Sequence, residues 1–214
     1  MIGHRLSMCL LLACSIVAQS ILQAAAQEHD LCVRKFTGIT LTDATVDQVL
    51  TQATSIMQVA AQTIPECNNV IIKRDGTIST WNDEMPRSVA LSSDFTKLVA
   101  TPCVKVVQRI SWCGGPAISG GALGCSPIPG NSMVVTASYA GFSDAKFAQY
   151  EPVTWLHELG HTLGLQHSQD SNNLMTPGIS PGTTKLTLSD CRVFSAAPGQ
   201  VALIAAAVLK SGNI

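Results

Sequence analysis

The segment His157–His167 reads HELGHTLGLQH, with histidines at its first, fifth and last positions. His157 and His161 are four residues apart, so on a helix both side chains lie on one face and can reach the same cation. Gly164 lacks a Cβ and can adopt a positive φ, which ends the helix. The chain can then turn back, and this brings His167 to the same cation as a third ligand.

Three imidazoles with an adjacent carboxylate predict a catalytic metal site. Three protein ligands leave the fourth tetrahedral position for water, which is typical of a catalytic zinc and not of a structural one. Glu158 directly follows the first histidine and can take a proton from that water as a general base. Histidines scattered along an amphipathic helix are the alternative, but three of the chain's five histidines lie in this motif. We therefore expect one Zn²⁺, bound by His157, His161 and His167.

This motif resembles the long zinc motif of the metzincin zinc endopeptidases, in which a methionine turn lies beneath the metal. The segment Ser171–Pro177 follows the third histidine after a short polar loop, and Met175 matches the methionine of that turn. Without the resemblance, Met175 would be an ordinary core methionine. Ser168, directly after the third histidine, is similar to the matrixin branch, although matrixins carry a tyrosine before the proline where this chain has Thr176. The strong resemblance covers Trp155 to Pro177.

The resemblance implies an α+β fold with a twisted mixed β-sheet, two main helices, a zinc cleft and a small C-terminal subdomain with a terminal helix. The N-terminal subdomain would cover residues 27–164 and the C-terminal subdomain residues 165–214. The implied activity is hydrolysis of peptide bonds through a zinc-activated water, with Glu158 as general base and then general acid. The Met175 turn would support the histidines without binding zinc.

A substrate groove is also implied, in which the peptide adds as an extra strand beside an edge strand of the sheet. The place of that edge strand falls to Ala122, Leu123 and Gly124, followed by Cys125. Small residues there would let the substrate backbone approach. A plain Gly-rich surface loop is the alternative interpretation.

Alternating and β-branched segments predict the strands. They are expected at residues 32–39, 104–112 and 132–138. A hairpin is expected over residues 69–80, because Asp75-Gly76 separates two β-prone runs.

Helical periodicity predicts a first helix from Val46 to Ala61, capped by Asp43 or Thr45. A second helix carries the zinc motif and is expected to open with Pro152 in its first turn. A final helix should begin within residues 186–191. The apolar segment Val201–Leu209 is too short to span a bilayer, so we expect a buried terminal helix or, alternatively, a segment that faces a partner.

The N-terminal residues 1–26 are predicted to be a signal peptide. His4 and Arg5 precede a mostly apolar stretch that ends in small residues, so cleavage is expected before Gln27. Polar residues interrupt the stretch, which argues against a membrane anchor. A lipoprotein with Cys14 lipidated is an alternative. We expect a secreted, extracellular protein, with a periplasmic or lipid-anchored one as the lesser alternatives, and activity without further proteolytic maturation.

Six of the eight cysteines lie outside the predicted signal peptide, and an even number in an exported chain predicts three disulfides. Metal binding by these cysteines is the alternative, but no CxxC pair occurs. We expect a bridge between Cys113 and Cys125 across a short Gly-rich loop. The other expected bridges are Cys32–Cys191, from the first strand to the final helix, and Cys67–Cys103.

Composition restricts the partners. A formal net charge of −1 and 13% charged residues argue against nucleic acid or an acidic membrane surface. No linker or repeat divides the chain, so one monomeric domain is expected.

Matrixins commonly add a structural zinc and calcium ions. His29 is the only histidine between residue 27 and the motif, which argues against a second histidine-rich zinc site, while calcium binding stays open.

Two other functions compete with a peptidase. A zinc hydrolase could act on a non-protein amide, such as one in a cell-wall polymer, and a substrate screen would separate the two. A secreted binding module could keep the zinc scaffold without activity. Glu158 argues against such a module, because a binder has no use for a carboxylate at that position.

Overall fold

The computed structural model describes residues 26–196. Most of the predicted signal peptide, together with the apolar segment Val201–Leu209, lies outside the described residues. The strands and α-helices of the described residues are β1 (Gln27–Phe36), α1 (Asp43–Ala61), β2 (Val70–Trp81), α2 (Ser92–Val99), β3 (Cys103–Val107), β4 (Gly124–Cys125), β5 (Ser132–Thr136), α3 (Asp144–Thr162) and α4 (Leu188–Phe194). Within this range no helix is both long and apolar enough to cross a membrane.

The strands form one five-stranded sheet in the order β2-β1-β3-β5-β4. β1 runs parallel to β2 and β3, and β3 runs parallel to β5. Only β4, at the edge, is antiparallel to its neighbour. The predicted mixed sheet with two main helices is therefore confirmed, since α1 and α3 are both 19 residues long.

The sheet has an apolar core on each face, because successive side chains of a strand point to opposite sides. Val104 and Met133 belong to the core that α1 and α3 cover, together with Leu50 and Leu156. The neighbouring Val134 belongs to the second core. That second core is covered by α2, which the sequence analysis did not predict. β5 is buried along its whole length, and α3, the zinc helix that carries the histidine motif, packs against it.

The predicted hairpin at residues 69–80 was wrong. The segment is one strand, β2, which pairs along its length with β1. A type I′ hairpin turn needs φ > 0 at both central residues, whereas in the Asp75-Gly76 pair only Gly76 has a positive φ, of 65°. Gly76 instead lies in a bulge, where the register with β1 shifts between Cys32 and Arg34. The Ile78 amide freed by the bulge donates to Asp43 Oδ1 at 3.0 Å.

Both main helices begin earlier than predicted. Thr42 caps α1, its Oγ1 accepting the Thr45 amide at 3.2 Å. Ser143 caps α3, so Pro152 lies in the middle of that helix and not in its first turn. A proline there leaves the carbonyl of Ala148 without its helical donor. Ala148 is exposed, so water can satisfy this carbonyl while the buried half of the helix packs on the sheet.

Two strand boundaries also differ from the prediction, because pairing between strands decides where each strand begins and ends. β1 begins at Gln27 because its first residues pair with β2. The predicted strand at 104–112 ends at Val107, where pairing with β5 ends. Ile110 makes only isolated bridges to Val89 and Ala122.

Three disulfides lie within residues 26–196, but two of the predicted pairings were wrong. Cys113–Cys125 is the expected bridge. Cys32 bonds to Cys103 and Cys67 to Cys191, in place of Cys32–Cys191 and Cys67–Cys103. The parallel pairing of Val33 with Val104 makes Cys32 and Cys103 cross-strand neighbours with Cα atoms 4.8 Å apart. The remaining bridge joins the short 3₁₀ turn at Pro65–Cys67 to α4.

Candidate metal centre

The end of α3 creates the turn that brings the third histidine back. Gly164 has φ 98°, and its amide donates to the carbonyl of His161 at 2.8 Å while the Leu165 amide donates to that of Gly160 at 2.9 Å. These two bonds form a Schellman motif, the common helix ending that requires a left-handed residue. The helix end expected at Gly164 is therefore present, and the chain turns towards His167.

His157, His161 and His167 come together as predicted. Their nearest ring nitrogens all lie within 4.8 Å of one another. The two Nε2 atoms of His161 and His167 are 3.1 Å apart, close to the ~3.3 Å that separates two nitrogens bound to one tetrahedral zinc. No other described group of three or more histidine, cysteine or acidic side chains converges in this way. The donor set and its spacing fit zinc.

Two backbone carbonyls orient the histidine rings. His157 Nδ1 donates to the carbonyl of Leu174 at 2.8 Å, and His161 Nδ1 donates to that of Leu165 at 2.8 Å. A carbonyl oxygen can only accept, so the proton of each ring lies on Nδ1 and the lone pair lies on Nε2. This is the tautomer in which Nε2 binds a metal.

Burial keeps these histidines in the neutral form that binds metals. It lowers the pKa of His157 to about 4, and the charges of His161 and His167 act in the same direction, against the hydrogen bond to Leu174. Burial also lowers the pKa of His161 and of His167. Neutral imidazoles are present at neutral pH as a result, and metal binding does not have to displace protons there.

Met175, which was predicted to be the methionine of the turn, contacts the helix that carries His157 and His161. Its side chain is buried, and its sulfur packs against Gly160 of the zinc helix. Asn173 Oδ1 accepts the Met175 amide at 2.7 Å, and Asn173 Nδ2 donates to Asp190 Oδ2 at 3.0 Å. Asp190 also accepts the Thr187 amide at 2.8 Å, within the capping box of α4. Through this network, α4 supports the turn.

Asn173 and Asp190 were missed by the sequence analysis. The spacing of Thr187 and Asp190 is a capping-box signal that sequence inspection could have found. Nothing in the local pattern links Asp190 to Asn173, which is 17 residues away.

Glu158 is almost fully buried, with 3% of its surface exposed. Burial raises its pKa to about 8, and a hydrogen bond from Ser126 opposes this shift. Ser126 Oγ donates to Glu158 Oε2 at 2.7 Å. A neighbouring metal dication would also oppose the effect of burial and lower the pKa of this carboxyl. Ser126, just after β4, was not among the predicted site residues.

The segment predicted to form the edge strand lies beside the site, but of its three residues only Gly124 belongs to β4. Ala122, Leu123 and Gly124 line a cleft of about 650 Å³, which also contains the three histidines and Glu158. The structure gives Gly124 a further reason to be small. A Cβ at this position would lie 2.6 Å from Cδ of Glu158, so the carboxylate packs against the bare backbone of β4.

Three aromatic rings, those of Tyr139, Phe142 and Tyr150, form a wall of the same cleft. The rings of Tyr139 and Phe142 have centroids 5.0 Å apart, and those of Phe142 and Tyr150 are 4.8 Å apart. Tyr139 also donates to the carbonyl of Gly121 at 3.2 Å. The Cys113–Cys125 bridge closes the rim on the β4 side.

A comparison with family models finds a similarity in this region. The matrixin model (Peptidase_M10) matches residues 120–196, which contain β4, β5, the zinc helix, the methionine turn and α4. A search of curated proteins found no match. The match to matrixin agrees with the branch predicted from Ser168, and the resemblance to metzincins predicted from the motif is confirmed.

Three solved structures are similar at low identity, and the first of them shares the fold. The archaemetzincin of Methanopyrus kandleri is 17% identical, with a TM-score of 0.50, and the alignment covers 89% of this chain and 99% of that one. Metalloproteinase-II of Bacteroides fragilis is 17% identical with a TM-score of 0.44, over 81% of this chain and 55% of that one. The archaemetzincin of Archaeoglobus fulgidus, complexed with malonate, is 17% identical with a TM-score of 0.44, over 82% and 99%.

The metzincin-like fold, the matrixin match and the histidine cluster together support a zinc metallopeptidase-type hydrolase.

Proposed function

We propose that the protein is a secreted, monomeric zinc-dependent endopeptidase that hydrolyses peptide bonds in proteins or peptides. The observation that carries this proposal is the position of the Glu158 carboxylate on the same helix as His157 and His161, inside a cleft bordered by an edge strand. The apolar N-terminal stretch and the three bridges support secretion.

The substrate would bind as an added strand. β4 pairs with β5 on one side and is the last strand of the sheet, and both of its residues line the cleft. An extended peptide paired there would place successive side chains alternately towards the cleft and away from it. The aromatic wall of Tyr139, Phe142 and Tyr150 would then receive an apolar side chain of the substrate.

When bound, zinc supplies Lewis-acid activation of the scissile carbonyl and of water. Glu158 accepts the proton that water loses as its oxygen attacks the carbonyl carbon. The same carboxyl group then gives this proton to the amine nitrogen as the C–N bond breaks. No tyrosine follows Met175 in the chain, so a stabilising phenol from that segment plays no part.

Two variants separate metal binding from chemistry. Glu158→Ala should keep one zinc per chain, because Glu158 is not a ligand, and should lose about 10⁴-fold or more in peptide cleavage, since one group serves both proton transfers. His161→Ala should lose zinc and activity together. Zinc content and cleavage of a mixed peptide library would be measured in parallel.

The exposed Glu84→Ala is the matched control and should change neither quantity. Near-parental cleavage by fully zinc-loaded Glu158→Ala would disprove the mechanism. Cleavage of a non-protein amide but of no peptide by the parent protein would favour the alternative hydrolase.

A further inference from the structure

A serine outside the zinc motif contacts the carboxylate of that motif. Ser126 follows β4 and is partly buried, and its hydroxyl donates to Glu158 Oε2 at 2.7 Å. Among the described residues, this is the only hydrogen bond that the Glu158 carboxylate receives. A buried carboxylate with a single donor depends on that donor for its orientation, because terminal carboxylate torsions are otherwise broad.

The surroundings restrict the carboxylate from a second side. Gly124, two residues before Ser126, lies so close that a Cβ would overlap both Cδ and Oε1 of Glu158. Cys125 stands between these two residues, is buried and bonds to Cys113. The short strand that provides both contacts is thereby joined covalently to the Gly-rich loop at Cys113, and its pairing with β5 holds it in the sheet.

We infer that Ser126 is a positioning residue for Glu158: its hydroxyl holds Oε2 so that Oε1 is the atom that accepts and returns the proton. This inference rests on the proposed peptidase function. Proton transfer requires the accepting atom to stay within hydrogen-bond reach of the attacking water. A carboxylate held between a donor and a glycine surface satisfies that requirement before the substrate arrives, while a carboxylate without the donor rotates among several orientations.

A purely structural role would give a different result. Loss of the hydroxyl could simply destabilise the fold, because a buried carboxylate without a donor is costly. Such an effect would lower the melting temperature and would leave kcat per folded molecule unchanged. A positioning role affects kcat, leaves KM nearly constant, and is restored when a hydroxyl returns at the same position.

The first test needs neither zinc nor substrate. In metal-free protein labelled with ¹³C at glutamate Cδ, the Glu158 resonance is assigned by its loss in Glu158→Gln. Ser126→Ala should shift this resonance, and Ser126→Thr, which keeps a hydroxyl, should restore it. Ser119→Ala, an exposed serine of the Gly-rich loop, should leave it unchanged. An unchanged Glu158 resonance in Ser126→Ala overturns the inference, even if the parent protein cleaves no peptide.

The second test uses zinc-loaded protein and a peptide that the parent cleaves. Ser126→Ala should bind one zinc per chain and should lose about 10- to 100-fold in kcat, the effect expected for a hydrogen bond to a charged group. Its KM should change less than about twofold, and Ser126→Thr should recover most of kcat. Parental kcat in folded Ser126→Ala, a change in KM alone, or equal losses in the alanine and threonine variants would each overturn the inference. Failure of the parent to cleave any peptide would instead count against the proposed function.

Discussion

The sulfur of Met175 packs directly against Gly160 of α3. A Cβ placed on Gly160 would lie 2.7 Å from the sulfur of Met175, and 3.3 Å from Cδ1 of Leu165. The methionine turn therefore approaches the zinc helix at the one residue between His157 and His161 that has no side chain. Glycine is unfavourable within a helix by about 1 kcal/mol relative to alanine. The close approach of Met175 explains why this position nevertheless has a glycine.

Gly160→Ala should therefore destabilise the protein in spite of its better helix propensity. The added methyl group must displace Met175, and overpacking of a buried site costs about 1–3 kcal/mol. Zinc affinity should fall as well, because Leu174, whose carbonyl binds His157, moves with the turn. Urea unfolding and zinc competition with a chelator would measure the two effects. Gly178→Ala, where a Cβ meets nothing within 4 Å, should be nearly neutral; comparable losses in both variants would refute the packing argument.

Asn173→Ala should weaken zinc binding without removing a ligand. Its side chain joins the Met175 amide to Asp190, and the loss frees the turn whose Leu174 carbonyl orients His157. Loss of such outer contacts typically lowers metal affinity about 10- to 100-fold. The Kd for zinc would be measured by chelator competition. Asn172→Ala removes an exposed neighbouring amide and should keep the parental Kd, and a parental Kd in Asn173→Ala would contradict the prediction.

Removal of the Cys113–Cys125 bridge should affect activity more than folding. The bridge spans only 12 residues and anchors the edge strand, whereas Cys67–Cys191 spans 124 residues. In the chain-entropy model a longer loop contributes more stability, by about 2 kcal/mol over this range. The double variant Cys113→Ala/Cys125→Ala should cleave peptides poorly at temperatures where it is folded. Cys67→Ala/Cys191→Ala should show the larger fall in Tm, and the reverse order of the two Tm values would contradict this.

Glu151 should make stability depend on pH. Burial raises its pKa in the folded protein to about 7, from an ordinary value of 4.5. Between these values the folded state binds more protons than the unfolded state, so stability falls as pH rises through this window. Glu151→Gln should therefore exceed the parent in stability at pH 8, by about 1–2 kcal/mol after allowance for partial exposure, and should equal it near pH 4.

Denaturation by urea at both pH values would measure this difference, with the exposed Glu84→Gln as the matched control. A stability gain in Glu151→Gln that is the same at pH 4 and pH 8 would show that titration of Glu151 is not its cause.

Local geometry explains which parts of the site could be predicted from sequence. The positions of His157 and His161 follow from helix periodicity, and the return of His167 follows from the left-handed conformation of Gly164. These relationships span only a few residues. The Ser126–Glu158 hydrogen bond joins residues 32 apart, and no periodic pattern relates an edge strand to a helix at that distance.

Tertiary pairing explains the errors in the fold. Asp75-Gly76 has the composition of a hairpin turn, but β1 offers a complete parallel partner to both halves of β2, so the glycine forms a bulge instead. Pro152 is a typical first-turn residue, but Ser143 nine residues earlier supplies the cap. The exchanged disulfide partners have the same origin, since the order of strands in the sheet decides which cysteines are neighbours.

Under the proposed peptidase function, the Cys67–Cys191 bridge has a consequence for self-digestion. Residues 177, 178, 181 and 182 are exposed in the loop between the methionine turn and α4, where a peptidase would meet accessible backbone. A cut there would separate α4 from the zinc ligands in sequence, yet the bridge would keep the two pieces in one molecule. Electrophoresis without a reductant would show a single intact band, and only reduction would release the fragment. Cleaved and uncleaved protein would therefore be indistinguishable by size in any preparation kept oxidised.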